Sequence, residues 1–240
     1  MVFVRPNPHA SRTDALDRNR SFWVHYPTIG PLLCIASLQY FIIQFLVALR
    51  WSPPYSVTRD TISDLGITTC GKFNARYVCS PLHELMNLSF ILLGVTMVAA
   101  CILLRQQLST ERSRPLSIGF ALVAIGGVGV ILVGIFPEDS VPLFHGIGAA
   151  LPFLLGNAGV VLLGFYLTAP LAFRVFTLIL GIAALTALVF YATDHYLGLG
   201  EGGIERIVAY PQTIWLIAFG AYQLTNIANF PIGEDRRKRH

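Results

Sequence analysis

Residues 134–148 read GIFPEDSVPLFHGIG and place Glu138, Asp139 and His145 within eight positions of a chain otherwise poor in charge. Two further stretches gather ionisable groups in the same way. YSVTRDTISDLGITTCGKFNARYVCSPLHELMN supplies Arg59, Asp60, Ser63, Asp64 and Arg76, then His83, Glu84 and Asn87. YATDHYLGLGEGGIERIVAYPQTIW supplies Asp194, His195, Glu201, Glu205 and Arg206. Three chemistries fit these residue types. His83, His145 and His195 with a carboxylate would suit zinc, whose bound water has a pKa lowered to about 7, with Ser63 or Asp64 orienting that water or a substrate. Arg206 and Arg59 could instead bind an anionic headgroup, with Asp64, Asp139 and Glu205 holding Arg206 and polarising the histidines. His145 is then the candidate acid or base, because imidazole titrates near neutral pH. The third possibility is a structural network of ion pairs. Asp60, Glu138 and Glu201, taken singly, read as solvated loop carboxylates, and no HExxH or CxxC pattern chooses among the three chemistries.

The elements that must position these groups follow from composition. Of 240 residues, 54% are hydrophobic and 12% charged, where a soluble domain carries about a quarter charged. Crossing a hydrocarbon core of ~30 Å takes roughly 20 apolar residues. Runs without charge predict six spans, at 31–49, 85–104, 116–136, 146–167, 175–192 and 207–230. The alternating ten-residue segments of a β-barrel are absent. The expected fold is therefore all-α, an integral membrane bundle of six transmembrane helices over residues 29–230. A polar N-terminal arm at 1–28, without the apolar run of a cleaved signal, precedes it, and a basic tail at 231–240 follows.

With six spans both termini share one side. That side receives twelve Lys or Arg residues and the other four, with Arg50 at the boundary, which predicts cytoplasmic termini in the plasma membrane. The three polar stretches then share the non-cytoplasmic side. His83 and Asn87, four apart, fall on one helix face; His145 opens the fourth helix and His195 follows the fifth, so three histidines sit at one depth. Ionisable groups there are costly against lipid and turn inward to pair, which predicts one pocket from Ser63, Asp64, His83, Asp139, His145, His195, Glu205 and Arg206. Cys70 and Cys79 lie in the first loop of the oxidising side and are expected to form a disulfide. Cys34 and Cys101 fall within spans as packing residues. Asn157 and Gln212 are expected to bond neighbouring helices, and the glycines of AIGGVGV, GIGAA and GNAGVVLLG to mark close helix contacts. Charge-free span centres speak against a proton-coupled transporter, and basic groups scattered among short loops against a nucleic-acid partner.

YSVTRDTISDLG, GIFPEDSVPLFHGIGA and GGIERIVAYPQTIW resemble three signature stretches of a bacterial and archaeal membrane family catalogued as domain of unknown function 998. The matching positions are Ser63, Asp64, Leu65 and Gly66; Phe136, Pro137, Asp139 and His145; and Gly202 or Gly203 with Glu205, Arg206 and Trp215. The resemblance spans about residues 32–229 and implies a polytopic membrane protein, with no reaction attached. A more distant likeness is to membrane hydrolases related to alkaline ceramidases and adiponectin receptors, seven-helix proteins that place Ser, Asp and His around zinc. This chain departs from them in helix number and in lacking their paired His-x-x-x-His. The resulting expectation is a protein that binds or handles a lipid headgroup or small envelope molecule. The alternatives are a zinc-dependent membrane hydrolase acting on lipid, or a non-catalytic assembly subunit with a membrane-protein partner or a second copy of itself.

Overall fold

The computed structural model describes residues 27–73, 76–108 and 113–229. Most of the polar arm and all of the basic tail lie outside them. Helices α1 (Ile29–Ala36) and α2 (Gln39–Ala48) form one broken span, followed by a long connection. That connection holds a 3-10 turn, Ser63–Gly66, and a hairpin of β1 (Gly71–Phe73) and β2 (Arg76–Val78). The strands pair antiparallel with Lys72 opposite Tyr77. Then come α3 (His83–Gln107), α4 (Arg114–Ile135), α5 (Pro142–Ala150), a π-helical turn (Leu151–Gly156), α6 (Asn157–Tyr166), α7 (Leu171–Ala192) and α8 (Gly200–Asn229). Among the described residues five stretches are long and apolar enough to cross a membrane: Ile29–Ala48, His83–Gln107, Arg114–Ile135, Pro142–Tyr166 and Leu171–Ala192.

The sixth expected span, at 207–230, falls in α8, which is not among those five. The reason is its position. Helix α8 packs on α1 and α7, and neighbouring contacts from α1 to α3, α3 to α4, α4 to α6 and α6 to α7 close a ring. Glu205, Arg206, Gln212, Thr213 and Trp215 of α8 are all buried within the protein, so this helix carries polar groups that a lipid-facing one excludes. By contrast α7 exposes Leu171, Ile179, Ile182 and Val189.

Close approach is built into the ring. A Cβ at Gly94 of α3 would run into the Gly127 carbonyl of α4, and one at Gly127 would meet the Gly94 carbonyl. Such small-residue contacts replace the hydrophobic driving force that lipid does not supply. The π-helical turn has a local cause, since Pro152 has no N–H for the bond to the residue four before it and the helix widens there. Gln212 Nε2 donates to the Pro152 carbonyl at 2.6 Å, and Asn157 Nδ2 donates to the carbonyls of Phe153 and Val208 at 2.9 and 3.0 Å. Both amides therefore bond across helices, as expected. Cys34 and Cys101 are buried free thiols, and Cys70 is bonded to Cys79 across the hairpin.

Candidate functional site

The connections 49–82, 136–141 and 193–199 meet at one end of the ring, and two glycines bring the first of them onto α8. Gly200 has φ 73°, a left-handed conformation natural to glycine, and a Cβ there would strike the Thr58 carbonyl. A Cβ at Gly202 would strike the Asp60 carbonyl. Backbone of residues 57–60 thus lies directly on the start of α8, where the Gly202 N–H donates to Thr58 O at 3.0 Å. Its carbonyls converge on Arg206, whose Nη1 donates to Val57 O and Asp60 O at 3.0 Å each and to Gly202 O at 2.6 Å. Arg206 Nη2 bonds the Tyr55 hydroxyl, and the guanidinium stands 5.4 Å from the centre of that ring. The sequence expectation that Arg206 clamps Asp64 or Asp139 is thereby corrected. Its Nη1 donates to main-chain carbonyls and its Nη2 to the Tyr55 hydroxyl, which makes it the peg that seats the loop.

The cation that meets the carboxylates is Arg76, presented by β2. Its Nη1 lies 2.6 Å from Asp64 Oδ2 and 3.1 Å from Asp60 Oδ1, and its Nη2 lies 3.6 Å from Glu201. Arg59 adds a second ion pair to Asp60 at 2.9 Å, from an exposed side chain. Asp60 is therefore buried and paired, where a solvated loop carboxylate was expected. Burial works against its charge, but hydrogen bonds from Arg59 and the Ser56 N–H outweigh that cost and hold its pKa below the ordinary range. Asp64 is fully buried and also accepts the Thr61 N–H at 2.7 Å. Glu138 is the opposite case. Burial, reinforced by the negative charges of Asp64 and Glu201, pushes its carboxyl up to about 7 against the pull of Arg76. It too departs from the expected solvated carboxylate.

Beneath this charged layer lies the one three-way meeting of predicted site residues. Ser63, on the 3-10 turn, has its Oγ 3.0 Å from His145 Nε2 and 3.5 Å from Glu205 Oε1. Glu205 Oε2 accepts the Ile62 N–H, so the same carboxylate holds the turn from below. His145 Nδ1 lies 2.9 Å from the Phe136 carbonyl. A carbonyl only accepts, so Nδ1 carries the proton and Nε2 of the neutral ring is left as an acceptor for the Ser63 hydroxyl. Ser63 and Glu205 border a narrow pocket between the helices. Its walls include Phe90, Leu93, Met97, Val130, Val133 and Phe153, with Gln212 and Thr213 of α8 as further polar members.

The other expected members lie apart from this meeting. Asp139 accepts from the backbone N–H groups and hydroxyls of Thr68 and Thr69 at 2.9–3.1 Å. Burial opposes its charge, but these bonds outweigh it and lower its pKa; its place is to tie the 136–141 connection to the first loop. His83 Nδ1 bonds the Ser80 carbonyl at 2.9 Å, and the exposed His195 bonds the Thr193 carbonyl at 2.7 Å. Asn87 Nδ2 donates to the Gly66 carbonyl at 2.9 Å. Among the described residues no group of three or more His, Cys, Asp or Glu is arranged to hold a metal ion. His83, His145 and His195 each bond a carbonyl of their own neighbourhood through Nδ1. Sequence reasoning counted Arg76 among the ionisable groups of the loop but gave it no place in the site; its signal was its position between the two cysteines. Sequence reasoning passed over the Phe136 carbonyl, for which a side-chain pattern holds no signal.

The chain belongs to the family described as Protein of unknown function (DUF998), whose model matches residues 34–222. The match runs from α1 into α8 and includes Ser63, His145 and Glu205. No curated protein and no solved structure matches the chain.

Proposed function

We propose that this DUF998 chain crosses the plasma membrane six times with both termini in the cytoplasm, and that its pocket holds a membrane lipid near the non-cytoplasmic face. Helix α8 is the sixth span. Its 30 residues reach about 45 Å at 1.5 Å per residue, more than the hydrocarbon core requires, and its polar residues are sheltered inside the ring. An even number of spans with the observed bias of Lys and Arg puts the convergent loops outside.

The observation that carries the lipid reading is the pocket itself. It has apolar walls drawn from α3, α4 and the π-helical turn, and a short polar rim of Ser63 and Glu205 with His145 behind it. That pairing of apolar walls with a few convergent polar groups suits a ligand with an apolar part and a polar joint. Arg206 Nη1 is taken up by main-chain carbonyls and Nη2 by the Tyr55 hydroxyl, and the rim itself offers Ser63 and Glu205, so the polar part it suits is a hydrogen-bonding group.

Native mass spectrometry of protein purified in mild detergent tests this. About one lipid per chain is expected on the wild type. Ala209→Leu, which fills the pocket from α8, is expected to lose it at unchanged thermal stability. A folded wild type that carries no lipid, and takes none up from vesicles of total membrane lipid, would overturn the proposal.

A further inference from the structure

We infer that Ser63 and His145 are a nucleophile and its base, which remove an acyl group from an ester-linked lipid seated in the pocket. The inference rests on the lipid reading above and names its chemistry. A serine hydroxyl is a weak nucleophile unless a base within hydrogen-bond reach takes its proton, and that base must present a bare nitrogen held in orientation by a third group. All three parts are present. Ser63 Oγ is 3.0 Å from His145 Nε2. The Phe136 carbonyl holds the proton on Nδ1 at 2.9 Å, so the tautomer is the one that accepts from serine. Phe136 sets by its main chain the orientation and tautomer that a carboxylate sets in a serine triad, without the carboxylate's charge. The hydroxyl has a single proton and two acceptors, and His145 is the nearer of them; Glu205, at 3.5 Å, is a positioning residue that holds the Ser63 turn through the Ile62 N–H.

Position matches the chemistry. An ester in a lipid sits where the apolar chain ends and the polar part begins, and Ser63 stands at that junction of the pocket, between walls such as Leu93 and Val130 and the charged layer above. A serine that only tied the loop to α5 would need the bond to His145 but no access to a cavity.

The step balances without redox chemistry. Ser63 Oγ bonds to the ester carbonyl carbon as its proton passes to Nε2. The carbon–oxygen bond to the alcohol then breaks, and Nε2 returns the proton to the departing alcohol oxygen. Water attacks the resulting acyl-serine, gives its proton to Nε2 and releases the acid, and Ser63 regains its hydroxyl proton from His145.

A long-chain alkyl fluorophosphonate added to the detergent-purified protein, followed by peptide mass spectrometry, tests the pair. Covalent modification at Ser63 is expected, absent in Ser63→Ala and slowed about a hundredfold in His145→Gln. Each variant is first checked for retained lipid and thermal stability, and Ser63→Cys with an alkyl maleimide reports access to the site should Ala disturb the turn. A wild type that retains lipid and stays unmodified at Ser63 would overturn the inference and leave the lipid reading standing. Equal labelling rates in the wild type and His145→Gln would overturn it as well. A folded wild type with neither lipid nor adduct would overturn both.

Discussion

Glu138 and Asp139 are adjacent carboxylates with opposite fates, decided by what surrounds each. Asp139 faces four donors from Thr68 and Thr69 and stays ionised. Glu138 is pushed up to about 7 by burial and then by Asp64, Glu201 and Asp139, with Arg76 alone among its named neighbours pulling down. Its ordinary value is 4.5, so the folded chain holds a proton that the unfolded chain has released. The resulting stability is fully present below about pH 4.5 and is lost as pH rises through about 7. Glu138→Gln keeps the neutral form at every pH. Its stability relative to wild type is therefore expected to rise between those limits, by on the order of 2 kcal/mol after discounting for partial exposure. Denaturation followed at pH 4.5 and pH 7.5 reads this directly. A difference between variant and wild type that is the same at both values would refute the assignment. Arg76 belongs to the same scale: it is where two buried aspartates meet one guanidinium, and no other described cation reaches Asp64.

At the scale of elements, contact between helices sets what each can carry. The α3–α4 pair meets at Gly94 and Gly127 with backbone against backbone, so no flexible side-chain end can give way to an added methyl. Gly94→Ala must part the helices and is expected to cost about 1–3 kcal/mol, the range for overpacking. Gly146→Ala is the control, since nothing lies within 4 Å of its added Cβ, and it is expected to be neutral or slightly stabilising. Thermal unfolding of the two in one detergent compares them; equal stability would mean that the α3–α4 contact is loose. The hairpin is the second such element. Its only length is two three-residue strands, too short to stand alone, and the Cys70–Cys79 bond closes it so that Arg76 is delivered to the acids.

For the whole molecule the ring of helices creates the site. Ser63, His145 and Glu205 come from three distant parts of the chain and meet because α8 closes the ring beside α1 and carries the first loop on its two glycines. The proposed topology is open to labelling. Val57 is exposed at the site end, and Thr168 is exposed in the connection between α6 and α7 at the other. In intact cells a membrane-impermeant maleimide is expected to react with Val57→Cys, and with Thr168→Cys only after permeabilisation. Equal reaction of both before permeabilisation would rule out the arrangement.

Membrane character, five of the expected spans, the cysteine pair and the three polar stretches were all legible along the chain, because each depends on local quantities: apolar length, spacing and residue type. Helix α8 was legible as a helix, and its interior position permits Gln212, Thr213 and the other polar residues that make it less apolar than the five spans. Pairing was not legible. Arg206 and Arg76 carry the same charge in neighbouring loops, yet one takes carbonyls and the other carboxylates, since loop path and helix placement decide which acceptor each can reach. The meeting of Ser63 with His145, 82 positions apart, and the main-chain carbonyl that sets the tautomer are decided by tertiary structure alone: hydrogen bonds act over about 3 Å, and only closure of the ring brings those atoms within that distance.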